Sequence, residues 1–202
     1  MLYDKKLIQK SVLRYPGGKS RAVDFVLELI PEDTKELVAP FFGGGSIELA
    51  CASLGIKVYG YDVFSPLVNF WQCAIENPKK LAKIVREYHP LSKEDFYKLQ
   101  KTQMELTDKW ESGAVFFVLN RSSFSGSTLS GGMSPEHPRF NEGAIERLEA
   151  FSIKNLSVEL VDFHEAIPQH KDALMYLDPP YLIKNMLYGN KGDTHRGFDH
   201  EG

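Results

Sequence analysis

The chain has 202 residues, of which 43% are hydrophobic, 12% aromatic and 25% charged, with a net charge of −3. This composition excludes a disordered chain, and the longest clean apolar run, over residues 114–119, is too short to span a membrane. The charge gives no bulk argument for a nucleic acid, and composition alone favours an enzyme that acts on a small molecule. Because the chain has only Cys51 and Cys73 and no secretory signal, we expect reduced thiols and a cytoplasmic protein.

The first third of the chain predicts an α/β unit. A helix is predicted around residues 20–30, and an apolar strand over 37–41 then ends at three glycines. The next stretch has helical periodicity and stops at Gly55, and residues 57–61 predict a second strand that ends at Asp62. A helical crossover between two strands makes them parallel, so this is a βαβ unit.

The middle of the chain predicts helices and one long loop. Residues 66–119 have a helical pattern almost throughout, with Ser92 and Asp95 resembling a capping box. Residues 122–134 contain nine Ser or Gly in thirteen positions, which predicts a flexible loop long enough to indicate a function. A short helix follows around 145–151.

Two further strands are predicted near the end of the chain. They cover residues 156–161, ending at Asp162, and residues 173–177, ending at Asp178. All four predicted strands are thus followed by glycine or polar residues. Because ligands bind outside the carboxyl ends of parallel strands, we expect one site at one edge of the sheet.

Three consecutive glycines follow the first strand and predict a ligand-binding turn. Gly43, Gly44 and Gly45 let the backbone approach a ligand and leave amide groups free at a helix start. The dinucleotide fingerprint needs a glycine where Glu48 stands, and a glutamate would repel a pyrophosphate, so NAD is disfavoured. Asp62 stands where a carboxylate accepts hydrogen bonds from both ribose hydroxyls. The glycines alone would equally be a tight turn, but together with Asp62 they predict a nucleoside ligand without a pyrophosphate.

The run Tyr15-Pro16-Gly17-Gly18-Lys19-Ser20 ends like a phosphate-binding loop. That loop needs a glycine where Leu13 stands and a strand before it, so ATP binding is disfavoured. Lys19 remains able to reach a carboxylate on its flexible stem. Taken alone, the run is more often a surface turn.

The run Asp178-Pro179-Pro180-Tyr181 is the strongest signal in the chain. Its prolines offer no N–H donors, so the carbonyls and the Asp178 side chain serve as acceptors. Such a cluster suits an NH₂ group that gives one hydrogen to Asp178 and the other to the Pro179 carbonyl, turning its lone pair toward an electrophile. Tyr181 supplies a π face for a planar base. The alternative is a proline-terminated strand with a buried tyrosine.

These motifs, in this order, resemble those of the Dam-type, alpha-group DNA adenine-N6 methyltransferases. The similar segments are residues 14–19, 40–46 and 178–181, and residues 120–126 resemble the loop with which the family meets DNA. The resemblance implies an α/β fold with a Rossmann-like, S-adenosylmethionine-dependent methyltransferase sheet, of which the first four strands are present. It also implies a mostly helical target-recognition insertion. The implied segments are 1–65 with the cofactor motifs, 66–152 as the insertion, and 153–202 with the DPPY motif.

The resemblance implies S-adenosylmethionine as the cofactor. The implied cofactor-binding residues are Tyr15, Gly18, Lys19, Phe42, Gly43, Asp62, Asp162, Phe163 and Asp178. Tyr15 and Lys19 would lie against the methionine part, with Lys19 holding its carboxylate. Asp62 would take the ribose hydroxyls, and Asp162 and Phe163 would frame the cofactor's adenine.

The resemblance also implies how the target base is held. The implied catalytic residues are Asp178, Pro179, Pro180 and Tyr181, which would hold an adenine flipped out of the duplex. Methyl transfer is then an in-line displacement catalysed by positioning, with no metal and no covalent intermediate implied. Asn120 and Arg121 would read bases, and Phe124 would occupy the space that the base leaves. For Arg121 a phosphate contact or a helix C-cap is the equal alternative.

The length of the chain is short for this family. Three more strands should follow the DPPY motif, but 21 residues remain after Tyr181. We therefore expect a truncated chain in which strand 173–177 is an uncovered edge, open to self-association or complementation. The expected function is methylation of adenine N6 in double-stranded DNA. The alternatives are a weak or inactive remnant that retains cofactor or DNA binding, and a methyltransferase of an RNA base or a glutamine amide.

Overall fold

The computed structural model describes residues 4–15, 17–134 and 139–180, which form helices packed around a parallel β-sheet. The helices are α1 (Val23–Leu29), α2 (Ser46–Ser53), α3 (Ser65–Glu76), α4 (Pro78–Glu87), α5 (Lys93–Thr102), α6 (Lys109–Ser122), α7 (Glu142–Glu149) and α8 (Phe163–Gln169). The strands are β1 (Glu36–Ala39), β2 (Lys57–Asp62), β3 (Leu156–Leu160) and β4 (Leu174–Met175). Tyr181, a predicted catalytic residue, lies outside the described residues.

The four strands form one sheet in the order β3-β2-β1-β4, and every neighbouring pair is parallel. Val38 in β1 is paired with Tyr59 in β2 and with Met175 in β4. The prediction of parallel strands is confirmed, and the carboxyl ends of all four strands therefore meet at one edge of the sheet.

The middle of the chain is helical, as predicted, and shares its core with the sheet. Aromatic side chains of α3 and α6 pack together, with the Phe70 and Phe117 rings stacked at 5.6 Å and the Phe70 and Trp71 rings edge-on at 5.1 Å. Buried residues from both sides of the predicted boundary at residue 65, such as Leu49 and Phe116, belong to one cluster. The domain boundaries remain a prediction: this cluster crosses the boundary at residue 65, whereas a smaller cluster of Phe96, Val115 and Leu119 lies within the helical middle of the chain.

Two glutamine side chains contact the loop over residues 122–134. Gln100 Nε2 donates to the carbonyls of Thr128 (3.1 Å) and Gly131 (2.9 Å), and Gln103 Nε2 donates to Thr128 as well (3.0 Å). Amide side chains on neighbouring helical turns thus hold its backbone at two positions, and the flexibility of the loop remains a prediction. Its small residues serve tight turns, as the φ of 58° at Ser125 illustrates.

The last strand is shorter than predicted. β4 covers Leu174–Met175, and the Tyr176 amide continues the pairing by donating to the Val38 carbonyl (2.8 Å). β4 lies at the edge of the described sheet, and self-association along it remains a prediction. In the described part of the chain, no helix is both long and apolar enough to cross a membrane.

Candidate active site

The candidate site is built on the loops that follow the strands. β1 leads into the three glycines and the start of α2, β2 ends at Asp62, β3 leads to Asp162, and β4 leads to Asp178. Three carboxylates and a glycine turn thus lie at the carboxyl edge of one parallel sheet, which is where open α/β folds bind ligands.

The glycine turn is shaped by aromatic side chains that lie against it. A Cβ atom at Gly43 would be 2.8 Å from Tyr15 Cε1, and one at Gly44 would be 2.6 Å from Tyr15 Cβ. Trp71, which the sequence did not single out, donates from Nε1 to the Gly43 carbonyl (3.0 Å). Gly45, with φ +67°, is the N-cap of α2. The glycines are therefore required first of all by the packing of Tyr15 and by a left-handed turn.

Phe42 lies beneath this turn with its ring in the core. A Cβ atom at Gly60 would be 2.2 Å from Phe42 Cδ2, so the absence of a side chain at Gly60 makes room for the ring. The ring meets Trp71 edge-on at a centroid distance of 5.5 Å. A cofactor contact by Phe42 remains a prediction, and the buried ring supports the turn from below.

Asp62 holds the turn through backbone hydrogen bonds. Its Oδ2 accepts from the Gly43 amide and its Oδ1 from the Phe64 amide, both at 3.0 Å. Burial raises the pKa of the Asp62 carboxyl, and the amides of Phe64, Gly43 and Val63 oppose that rise. A carboxylate accepts about four hydrogen bonds, so Asp62 keeps the capacity for a hydroxyl donor.

Lys19 and Asp178 form an ion pair that joins the N-terminal segment to the end of β4. Lys19 Nζ is 2.6 Å from Oδ1 and 2.5 Å from Oδ2 of Asp178, and it also donates to the Gly17 carbonyl (3.2 Å). The turn that presents Lys19 is closed by the Gly18 amide, which donates to the Tyr15 carbonyl (3.0 Å). The predicted partner of Lys19 was a carboxylate of the cofactor, whereas its partner here is a carboxylate of the chain.

Glu48 in the first turn of α2 is a buried carboxyl beside this ion pair. Glu48 is 2% exposed. Burial raises the pKa of Glu48 to about 8, and the negative charge of Asp178 raises it further, whereas backbone amides at the helix start and the charge of Lys19 oppose the rise. Glu48 is therefore largely protonated at neutral pH, which removes one negative charge from the surroundings of Asp178.

Asp162 and Phe163 begin α8 at the end of β3. Asp162 Oδ1 accepts from the His164 amide (2.8 Å) and lies 2.6 Å from His164 Nδ1, so it serves as the N-cap of the helix. The Phe163 ring lies 5.1 Å from the Phe41 ring, which brings the ends of β3 and β1 together. Their contact with a cofactor remains a prediction.

Asn120 has a role that the sequence did not reveal. It is fully buried, its Oδ1 accepts from the Arg14 amide (2.9 Å), and its Nδ2 donates to the carbonyls of Arg14 (2.8 Å) and Gly126 (3.1 Å). A base contact by Asn120 remains a prediction, and in this arrangement both polar atoms of its buried amide are bonded to the backbone. Asn120 therefore fixes the N-terminal segment and the loop after α6.

Arg121 and Phe124, the other predicted DNA contacts, follow Asn120 closely in the chain. Arg121 is half-buried and donates from Nε to the Arg139 carbonyl (3.2 Å) and from Nη1 to the Val12 carbonyl (3.5 Å). Phe124 is 72% exposed in the turn after α6. Single exposed apolar side chains are common on protein surfaces, and a DNA contact by Phe124 remains a prediction.

The comparisons with known proteins decide the family. The family described as D12 class N6 adenine-specific DNA methyltransferase matches residues 15–201, nearly the whole chain. The chain belongs to this family. The match includes the glycine turn, Asp62 and Asp178, so the residues at the carboxyl edge of the sheet are part of a methyltransferase domain.

Individual relatives of the chain are also named as methyltransferases or methylases. Type II methyltransferase M1.LlaDCHI of Lactococcus lactis subsp. cremoris is 23% identical over 219 residues, which cover 100% of this chain and 76% of that protein. Modification methylase LlaI of Lactococcus lactis subsp. lactis is 24% identical over 220 residues, covering 98% of this chain and 34% of that protein. DNA adenine methylase of Vibrio cholerae is 27% identical over 188 residues, covering 86% of this chain and 65% of that protein. The chain thus spans between a third and three-quarters of these relatives.

Membership of the family confirms the predicted resemblance, the α/β fold class and the class of enzyme. It implies DNA as the substrate and a donor of methyl groups. The roles of individual site residues in the methyltransferase remain predictions.

The hydrogen bonds from Asn120 to the backbone of Arg14 and Gly126 lead to a testable prediction about the stability of the methyltransferase. Gly126 has φ +79°, and a Cβ atom there would be 1.7 Å from the Arg14 carbonyl oxygen. We expect Gly126→Ala to lower the free energy of unfolding by about 3 kcal/mol. Alanine is strained at this positive φ, and its Cβ atom would collide with the Arg14 carbonyl oxygen. Urea unfolding measures this. Gly55→Ala is the matched control, since Gly55 has φ +90° but nothing within 4 Å, so a similar loss in both variants would assign the effect to backbone strain alone.

Proposed function

We propose that this methyltransferase transfers a methyl group from S-adenosylmethionine to N6 of an adenine in double-stranded DNA. The observation that carries the proposal is the position of Asp178, which follows β4 at the carboxyl edge of the sheet and precedes two prolines. Membership of the adenine-specific family supports the same chemistry.

Asp178 and Pro179 would orient the reacting amine. The Asp178 carboxylate accepts one N6 hydrogen and the Pro179 carbonyl accepts the other, so the nitrogen lone pair turns out of conjugation with the ring. Proline has no amide hydrogen to compete for these acceptors. When N6 gains the methyl group it must lose one proton, and Asp178 is the acceptor already bonded to that nitrogen. Catalysis then comes from positioning and needs no covalent intermediate.

The residues at the glycine turn fit S-adenosylmethionine. Asp62 is a half-buried carboxylate with capacity for the ribose hydroxyls, and Tyr15 lies directly on the turn. Lys19 supplies a positive charge that a carboxylate of the methionine part can share with Asp178. When bound, the cofactor supplies a methyl group on a positively charged sulfur. Asp162 and Phe163, at the start of α8, would lie on its adenine.

The target adenine would have to leave the helix to reach Asp178. N6 of a stacked, paired base is not accessible to a side chain at the bottom of a site, and enzymes that modify bases solve this by flipping the nucleotide. Exposed Phe124 would fill the gap in the duplex, and Tyr181 would stack on the flipped base. Double-stranded DNA is therefore the proposed partner.

The cofactor site can be tested without methyl transfer. We expect Asp62→Asn to weaken binding of S-adenosylhomocysteine by about 10- to 100-fold, the effect of losing a hydrogen bond to a charged group in a buried site. Isothermal titration calorimetry measures the affinity, and thermal unfolding without ligand shows whether the turn itself is intact. Equal affinity of the wild type and the variant would contradict the role of Asp62.

The reaction is tested with S-adenosylmethionine labelled with tritium in its methyl group and unmethylated duplex DNA. We expect labelled N6-methyladenine after digestion of the DNA to nucleosides. Binding of S-adenosylhomocysteine with no transfer would instead favour the remnant that retains only cofactor binding. Parallel reactions offer RNA or protein in place of DNA, and label in either of these, with none in DNA, would overturn the proposed substrate.

A further inference from the structure

The segment that leads to Tyr15 has no secondary structure of its own. Residues 8–15 form neither a helix nor a strand, although Val12 and Leu13 are buried in the core. The backbone groups of such a segment have no regular partners, so they need hydrogen bonds from other parts of the chain. The position of Tyr15 therefore depends on individual contacts of the residues around it.

Asn120 supplies such contacts at the residue directly before Tyr15. The Arg14 amide donates to Asn120 Oδ1 (2.9 Å), and the Arg14 carbonyl accepts from Asn120 Nδ2 (2.8 Å). Asn120 is fully buried near the end of α6, so water does not compete for these bonds. A buried amide that bonds both backbone groups of one residue fixes the position and the direction of the chain there.

Tyr15 transmits this constraint to the glycine turn. The side chain lies so close to the turn that Cβ atoms at Gly43 and Gly44 would be 2.8 Å and 2.6 Å from it. The Gly43 amide in turn donates to Asp62 Oδ2 (3.0 Å). A displacement of the segment before Tyr15 must therefore move the ring or the turn, and with the turn the carboxylate that is proposed to bind the ribose.

The same amide of Asn120 holds the turn that exposes Phe124. Asn120 Nδ2 also donates to the Gly126 carbonyl (3.1 Å). Gly126 lies directly on the N-terminal segment, where a Cβ atom would be 1.7 Å from the Arg14 carbonyl oxygen. One buried side chain thus sets the positions of two segments, and each of these carries a predicted contact to a different ligand.

We propose that Asn120 is a positioning residue of the methyltransferase, which places Tyr15 for the cofactor and the Phe124 turn for DNA. This inference rests on the proposed function. Asn120 has no exposed surface, so it acts on both ligands through the backbone of Arg14 and Gly126. An amide suits this role because it offers an acceptor and two donors on one planar group, which match one N–H and two carbonyls.

The test compares Asn120→Asp with the wild type in two binding measurements. Isothermal titration calorimetry gives the affinity for S-adenosylhomocysteine, and fluorescence anisotropy gives the affinity for a labelled DNA duplex. Aspartate keeps the size of the side chain and the acceptor for the Arg14 amide. A carboxylate cannot donate to either carbonyl, and a protonated carboxyl donates to one at most. We expect both affinities to fall by about 10-fold or more, the range in which residues that orient ligand-binding groups act.

Val85→Ala is the matched control for a loss of stability. Val85 is fully buried in α4, which contains none of the predicted site residues, so the loss of two methyl groups destabilises the core away from the site. Urea unfolding compares the stability of the variants, and both affinities are measured where circular dichroism shows each variant to be folded. Val85→Ala should bind both ligands as the wild type does. Asn120→Ser buries no charge and serves as the second variant if Asn120→Asp does not fold.

The outcomes separate this inference from the proposed function. A folded Asn120 variant that binds both ligands like the wild type would overturn the positioning role and leave the proposed reaction intact. Equal losses of affinity in Val85→Ala would also overturn it, because reduced stability would then explain them. A fall in both affinities in the Asn120 variants alone supports the inference. A wild type that binds neither ligand would contradict the proposed function, and the inference with it.

Discussion

Replacing Asp178 by alanine is expected to lower the single-turnover rate of methyl transfer by about 10²- to 10³-fold, the scale at which removal of a single positioned polar group acts. In the proposed reaction the Asp178 carboxylate accepts a hydrogen from the amine and then takes its proton. Without it the N6 lone pair stays conjugated with the ring, so the barrier rises although the base still fits. Single-turnover transfer of labelled methyl groups to duplex DNA measures this loss.

The Asp178→Ala variant also removes the partner of Lys19, which must be separated from catalysis. Lys19→Met is the matched control because it breaks the same ion pair and leaves the Asp178 carboxylate in place. We expect Lys19→Met to weaken binding of S-adenosylhomocysteine with a smaller loss in the single-turnover rate at saturating cofactor. An Asp178→Ala variant that keeps its single-turnover rate would contradict the proposed chemistry of the site.

The position of the site could be predicted from local patterns. Gly43, Asp62, Asp162 and Asp178 each follow a recognisable strand, and parallel pairing brings all strand ends to the same edge. The βαβ unit was predictable because its strands, helix and Gly55 are close in sequence. The start of α5 is a partial case, since the Ser92 hydroxyl does accept from the Asp95 amide (3.0 Å), but the Asp95 carboxylate bonds that hydroxyl rather than the Ser92 amide.

The contacts between distant segments could not be predicted in this way. Lys19 and Asp178 are 159 residues apart, and Asn120 and Arg14 are 106 residues apart, so no local period or spacing signals either pair. Asn120 illustrates the limit. An asparagine side chain can form hydrogen bonds with a base as well as with a pair of backbone groups, and only the burial of Asn120 distinguishes the two roles.

From the sequence alone, Glu48 indicates only that a pyrophosphate is disfavoured. Its burial gives it a second property, because a buried carboxyl keeps its proton to a higher pH than the same group in the unfolded chain. The pKa of Glu48 is about 8 in the folded chain, compared with an ordinary value of 4.5. Between these values the folded state holds a proton that the unfolded state has lost, so the free energy of unfolding falls as the pH rises.

Glu48→Gln is therefore expected to abolish a pH-dependent loss of stability. At pH 5 both folded side chains are uncharged and an amide oxygen still accepts from the backbone at the start of α2, but the unfolded wild type has already lost most of the Glu48 proton, so the variant should be the more stable by only about 1 kcal/mol. Above pH 8 the wild type should be the less stable by roughly 5 kcal/mol at most, from about 1.4 kcal/mol for each unit of the pKa shift. Urea unfolding of both proteins from pH 5 to pH 9 measures the difference. A difference that stays constant across this range would mean that the Glu48 carboxyl is not held protonated in the folded chain, and that Asp178 works beside a second negative charge.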